Sequence, residues 1–232
     1  MRYATLAVSA ATTIALASSA MAGVVYNDSA TDLPVTESDG LKNILSVDVS
    51  HTETSIKFRL TLNGISNNFN SNQYAIAFST PGAATKTTAV WEHQANFTSN
   101  GGMNYIVSAD AWYNGASFFQ SHGVSGWSNF GAGANQNSSF SGNYDTNTLD
   151  IYVSRSAIGM AGDGTFFFDA WAIARDNSVF DALSTNATLS GYSGNFTTNT
   201  ALSYTIGAPV PAPGAIALLG AAGLLGSRRR RA

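Results

Sequence analysis

The chain has no cysteine among its 232 residues. That excludes disulfides, a thiolate nucleophile and any zinc site built on sulfur, so rigidity must come from packing or from an oxygen-bound ion. Charge is scarce too, with Asp, Glu, Lys and Arg together making up 11% of the residues. All 14 acidic residues lie between Asp28 and Asp181, whereas Arg2 and Arg228–Arg231 are five of the 11 basic ones, which leaves the middle of the chain at a formal −8. Such a surface repels nucleic acid and has no electrostatic reason to approach anionic lipid. Histidine occurs only at His51, His93 and His122. Without a His-x-His or H-E-x-x-H spacing these read as surface or loop residues rather than metal or haem ligands.

What is abundant is Asn, Ser, Thr and Gly, a polarity without charge that suits secreted β-proteins and sugar-binding or matrix-embedded surfaces. The start of the chain, MRYATLAVSAATTIALASSAMAG, has Arg2 in a basic opening, an apolar run from Thr5 to about Ala17, and Ala20-Met21-Ala22 as a small-x-small cleavage site. Residues 1–22 are therefore expected to be a signal peptide cut by signal peptidase, with a mature start near Gly23. Residues 23–207 are of a size for one domain. At the other end, the apolar run from Gly214 to Ser227 holds 14 residues, about 21 Å as a helix, against the roughly 30 Å of a bilayer core. Gly220, Gly223 and Gly226 weaken it further, each by about 1 kcal/mol against Ala, while Arg228–Arg231 would hold the end on the cytoplasmic side. A short apolar helix of this kind can insert transiently.

The order Pro211-Ala212-Pro213, short Leu/Gly/Ala helix, arginine cluster over Val210–Ala232 resembles the PEP-CTERM sorting signal of exported bacterial proteins. The resemblance implies that residues 208–232 are a sorting segment. It also implies processing by an exosortase-type transpeptidase near the Pro-x-Pro element, and delivery to the cell surface or extracellular matrix of a Gram-negative bacterium. Pro211, Pro213, Arg228, Arg229, Arg230 and Arg231 carry it; Ala212 stands where the family usually has Glu, which leaves the identity of the processing enzyme open.

Between the ends, periodicity is that of strands. Leu45, Val47 and Val49 alternate with Ser46, Asp48 and Ser50, and Ile56, Phe58, Leu60 and Leu62 with Lys57, Arg59 and Thr61, a period of two joined by a polar turn near His51-Thr52-Glu53. Tyr74, Ile76 and Phe78 repeat it. Further strands are expected at 86–94, 103–109, 116–120, 138–144, 149–153 and 201–207. A long Gly/Ser/Asn-rich loop is expected over 121–147, interrupted by the 138–144 strand. TFFFDAWAIAR is apolar on both faces, so it belongs at the centre of a sheet. About ten short strands without helices predict a two-sheet antiparallel β-sandwich of jelly-roll or immunoglobulin-like topology.

Asp28 and Asp32 ahead of the hairpin SVDVSHTETSIKFRLTLNG, the strand Tyr74–Phe78, TLDIYVSRSAIG and TFFFDAWAIARDNSVFD together are similar to the DOMON-like and family 9 carbohydrate-binding sandwiches. That similarity implies ligand binding without catalysis, of sugars in some members and haem in others.

Chemistry is thin by comparison. Neither Gly123-Val124-Ser125-Gly126 nor Gly191-Tyr192-Ser193-Gly194 completes a G-x-S-x-G elbow. Glu92, Asp110, Asp150 and Asp169 are the available pool for a glycosidase acid–base pair. Asp145-Thr146-Asn147 and Asp163-Gly164 place oxygen ligands in loops, as structural calcium requires, although both are also ordinary turn chemistry. No cofactor is expected; were structural calcium bound, Asp145, Asn147 and Asp163 are the candidate ligands. Trp112, Tyr113, Phe118, Phe119 and Trp127 cluster in and before the Gly-rich stretch. There, flat rings could stack on sugars while Asn114, Gln120 and Asn129 bond hydroxyls; equally, they could plug and cover the sandwich core. The candidate ligand residues are Trp112, Tyr113, Asn114, Trp127 and Asn129. The expectation is a non-catalytic binding or structural module associated with exopolysaccharide. The competing class is a matrix or adhesive protein without a defined small ligand, and a glycan-active enzyme comes third.

Overall fold

The computed structural model describes residues 23–32, 43–64, 72–83, 85–88, 95–110, 116–123, 126–130, 137–143, 146–174, 177–185, 189 and 196–207. For 116–123 and 126–130 it describes the backbone. Its strands are β1 (Val24–Asn27), β2 (Ile44–His51), β3 (Ser55–Leu62), β4 (Asn72–Ser79), β5 (Ala95–Phe97), β6 (Tyr105–Asp110) and β7 (Ala116–Gly123). They continue with β8 (Gly126–Phe130), β9 (Ser138–Asn143), β10 (Thr148–Ser154), β11 (Gly164–Ala174), β12 (Val179–Ala182), β13 (Phe196–Thr198) and β14 (Leu202–Ile206). By its packing the chain divides into Ala22–Ala208, which holds all of these, and a second unit, Met1–Met21 with Pro209–Ala232, that lies outside the described residues. Among the described residues no helix is long and apolar enough to cross a membrane.

The strands form the expected two-sheet antiparallel sandwich. One sheet runs β1-β2-β3-β10-β9 and the other β12-β11-β4-β6-β7-β8, with β14 also on β11. The long β11 shares one edge between two strands, β14 along its first half and β12 along its second, while β4 pairs along the other edge.

Alternation decides which face is buried. In the β2–β3 hairpin, Val47 lies opposite Leu60, Val49 opposite Phe58 and His51 opposite Ile56, and all six are buried. Removing the five apolar ones from water stabilises by about 1.5–3 kcal/mol each. From the other sheet Tyr74, Ile76, Phe78, Phe166 and Phe168 meet them. Phe58 takes Phe78 and Phe168 edge-on at 5.3 and 5.5 Å between ring centres, the arrangement that the ring quadrupoles favour. Leu45 departs from the expected alternation: the register shifts between Ile44 and Ser46, a bulge that buries Ile44 and leaves Leu45 only half-buried.

The second sheet is buried on both faces along β4 and β11. Behind it, Ala75, Ala77, Ile106, Trp171 and Ile173 pack with Ala95, Phe97 and Met103, and the parallel pair β5–β13 lies across that outer layer. Small side chains on β4's outer face leave room for this cover. The 86–94 stretch differs from the expectation. Its described part makes single bridges, Lys86 to Met103 and Thr88 to Asn96, and 89–94 lie outside the described residues. The expected loop over 121–147 also differs: β7 runs on to Gly123 and β8 returns from Gly126. Gly, Ser and Asn give no apolar alternation to read, yet the backbone ladder forms regardless of side chain.

Candidate functional site

Asp28 follows β1 directly, and the turn after it brings Asp32 back beside it. Asp28 Oδ1 accepts the Ser29 N–H at 2.8 Å, and Ser29 Oγ accepts the Thr31 N–H at 3.2 Å, so the turn is built by its own short polar side chains. Asp181 arrives from β12 in the opposite sheet. Its Oδ1 accepts the Ala182 N–H at 2.8 Å, and its Oδ2 accepts the N–H of Ile44, where β2 begins, at 2.5 Å. Oxygens of Asp28, Asp32 and Asp181 thus come within 4.8 Å of one another, at a junction of both sheets. Asn43 completes the surround: its Nδ2 donates to the Ala30 carbonyl inside the turn at 3.3 Å.

The donors at this junction do not cover all of its acceptors. Asp28 Oδ2, both carboxylate oxygens of Asp32 and Asn43 Oδ1 are buried without a hydrogen-bond partner. Asp32 is 4% exposed, Asp181 2% and Asn43 1%. Burial pushes Asp28 up to about 7, against the pull of the Ser29 N–H and with help from the Asp32 charge. Burial likewise pushes Asp181 up to about 8, against the Ile44 N–H, with the charges of Asp28 and Asp32 adding to it. Asp32 is raised for the same leading reason. Buried acceptors without donors are costly, and what satisfies several at once is a proton or a hard cation.

Asp169, Asp150 and His51 are already engaged. Asp169, fully enclosed, accepts from the Ala170 and Ser184 N–H groups, Trp171 Nε1, Ser184 Oγ and Thr198 Oγ1. Asp150 takes a bidentate pair from Arg59, both bonds 2.7 Å. Desolvation pushes the Asp150 carboxyl up, but Arg59's hydrogen bonds and charge outweigh it and hold the carboxyl below its ordinary value. Two of the four carboxylates in the acid–base pool are thus structural. Glu92 lies outside the described residues, and Asp110 ends β6. His51, expected on the surface or in a loop, is buried at the end of β2, with Nδ1 2.7 Å from the Tyr204 hydroxyl.

Of the residues expected to bind ligand or metal, only some are described. Trp112, Tyr113, Asn114 and Asp145 lie outside the described residues, as do Pro211, Pro213 and Arg228–Arg231. Trp127 and Asn129 stand on β8, the last strand of its sheet, opposite His122 and Gln120 of β7. Asn147 adopts a left-handed backbone (φ 51°) before β10, and its carbonyl accepts from Leu62. Asp163 lies beyond the other end of that strand, about 20 Å along it. The carbonyls of the turn before Asp163 are already taken: Arg155 donates to those of Met160, Ala161 and Gly162. The fold thus separates Asn147 from Asp163 and instead joins Asp28 and Asp32 to Asp181. Asp28 and Asp32 stood out in the sequence, but Asp181 and Asn43 had no signal, because only sheet packing brings them to the turn.

On the first sheet a shallow, open groove of about 360 Å³ is lined by Thr54, Ser55, Asn137, Ser138, Ser139 and Tyr152, among others. Its lining residues are hydroxyl-bearing but for Asn137 and Val153, Tyr152 supplies the one aromatic ring, and none of them is charged. Compared with known proteins, the chain matches no family model and no curated sequence.

Proposed function

We propose that the protein is an exported, non-catalytic β-sandwich module of the surface or matrix of a Gram-negative bacterium. In this reading residues 208–232 act as a sorting signal read by an exosortase-type enzyme, with transient membrane insertion, and the domain associates with exopolysaccharide. The observation that carries the polysaccharide reading is the groove over β9 and β10. Uncharged hydroxyls and an amide exchange hydrogen bonds with sugar hydroxyls without the desolvation cost of ions, and the Tyr152 ring offers a flat face for stacking. Neutral chemistry of this kind also agrees with a chain that has so few charged residues. Engagement of Asp150 by Arg59 and of Asp169 by five donors supports a non-catalytic role for these two carboxylates.

The test is a glycan array, followed by polysaccharide pull-down, with the mature secreted protein and its Tyr152→Ala and Trp127→Ala variants. Loss of retention in Tyr152→Ala places the sugar in the groove; loss in Trp127→Ala places it on the β7–β8 edge. No retention by the wild type sinks the sugar reading and leaves a matrix or adhesive protein without a defined small ligand.

A further inference from the structure

We propose that Asp28, Asp32 and Asp181 bind a calcium ion that clasps the turn after the first strand to the edge of the opposite sheet. Three carboxylates alone would not carry this inference, since acidic clusters are common without metal. The independent observation is Asn43, a neutral side chain, 1% exposed. Its amide nitrogen is tied to the Ala30 carbonyl of the same turn, while its Oδ1 is buried without a partner. Asn43 is also directly followed by Ile44, whose N–H is fixed on Asp181, so this residue is tied through its side chain to the turn and through its neighbour to β12. Asn43 Oδ1, Asp28 Oδ2 and both Asp32 oxygens make four buried acceptors that no surrounding donor satisfies, Asp28 and Asp32 being able to share only a proton of their own.

The chemistry selects the ion. Every candidate ligand is oxygen, which suits calcium and magnesium and not the sulfur- and nitrogen-seeking metals. The chain has no cysteine. Oxygens within 4.8 Å of one another are close enough to share one ion with bonds of about 2.4 Å, the calcium distance. Magnesium at about 2.1 Å demands a tighter, near-octahedral shell. Asp28 and Asp32 come from one turn and Asp181 from β12 some 150 residues on, so the ion would bridge sheets much as a disulfide would in a chain that has cysteine. The proposal does not depend on the polysaccharide reading, and its readouts involve no sugar.

The experiment uses the full secreted protein, stripped with EDTA and then titrated with calcium or magnesium. The readouts are thermal unfolding, metal content by mass spectrometry, and terbium luminescence as a probe of the calcium position. About one calcium per chain is expected. The melting temperature should rise by about 5–10 °C at a hundredfold excess over the dissociation constant, with a smaller rise in magnesium. In Asp32→Asn and Asp181→Asn the calcium-dependent rise should disappear. Asp28→Asn, at the least enclosed carboxylate, should weaken terbium binding at least tenfold, and it serves as the readout if the buried variants do not fold. Asp163→Asn should behave as wild type. A stripped wild type indifferent to calcium would overturn the proposal, as would a calcium response that survives in Asp32→Asn or is lost in Asp163→Asn.

Discussion

Asp169 accepts five hydrogen bonds, and its role follows from what its removal leaves behind. Asp169→Ala takes the acceptor from five donors, of which Trp171 Nε1 keeps its bond to Thr198 Oγ1, so a loss of roughly 3–5 kcal/mol is expected, read as a lower urea midpoint. Breaking the Arg59–Asp150 pair should cost about 1 kcal/mol or less, because Arg59 is 45% exposed and solvent screens it. His51 supplies a pH dependence. Its burial, and then the nearby Arg155 charge, hold the imidazole below its ordinary value. The unfolded chain therefore takes up a proton before the folded one does, and the contribution of His51 is fully present above about pH 6.5. It is lost as pH falls from there through the lower folded value. Urea midpoints between pH 7.5 and 5 should show this as a difference between the wild type and His51→Gln; parallel curves would refute it. The sequence showed His51 only as a polar residue near a turn, because burial depends on Tyr204 of β14, 153 residues away.

Arg155 ties two turns into one structural element. It is 7% exposed and donates to the Thr52 and Glu53 carbonyls of the β2–β3 turn as well as to Met160, Ala161 and Gly162. Arg155→Lys keeps the charge but loses the planar fork, so a destabilisation of about 2–3 kcal/mol is expected by urea unfolding; a change under 0.5 kcal/mol would show that the fork is dispensable. On β4 the two faces differ by design of size: Tyr74, Ile76 and Phe78 fill the main core, while Ala75 and Ala77 lie under the β5–β13 cover. Ala77→Leu should overpack that layer and cost about 1–3 kcal/mol, with hydrogen exchange rising in β5 and β13 before β2 and β3. The strongly alternating strands β2, β3, β4 and β10 were legible because a half-buried strand writes its period of two into the sequence. The end of β7, its return strand β8 and the short β5, β12 and β13 were not. Their pairing is backbone to backbone, and three or four residues are too few to display a period.

For the whole molecule, the localisation reading is checked by mass spectrometry of the protein recovered from the cell surface. A mature start at Gly23 and loss of Arg228–Arg231 are expected, and a surface form that keeps the four arginines would refute processing. The absence of cysteine, the shortage of charge and the alternation of apolar residues were enough to determine an all-β sandwich, since burying one face of each strand is a local property of the chain. The turn Asp28–Asp32 was visible too, as two carboxylates four apart. Which distant residues would meet it was decided by tertiary structure alone. Sheet order sets β12 at the edge of its sheet and brings Asp181 to Ile44, and long-range pairing of that kind leaves no mark in local sequence. The same packing separates Asn147 from Asp163. Oxygen ligands are cheap to write into a sequence, but a cation needs them within a few ångströms of one another, and only the folded chain settles that distance.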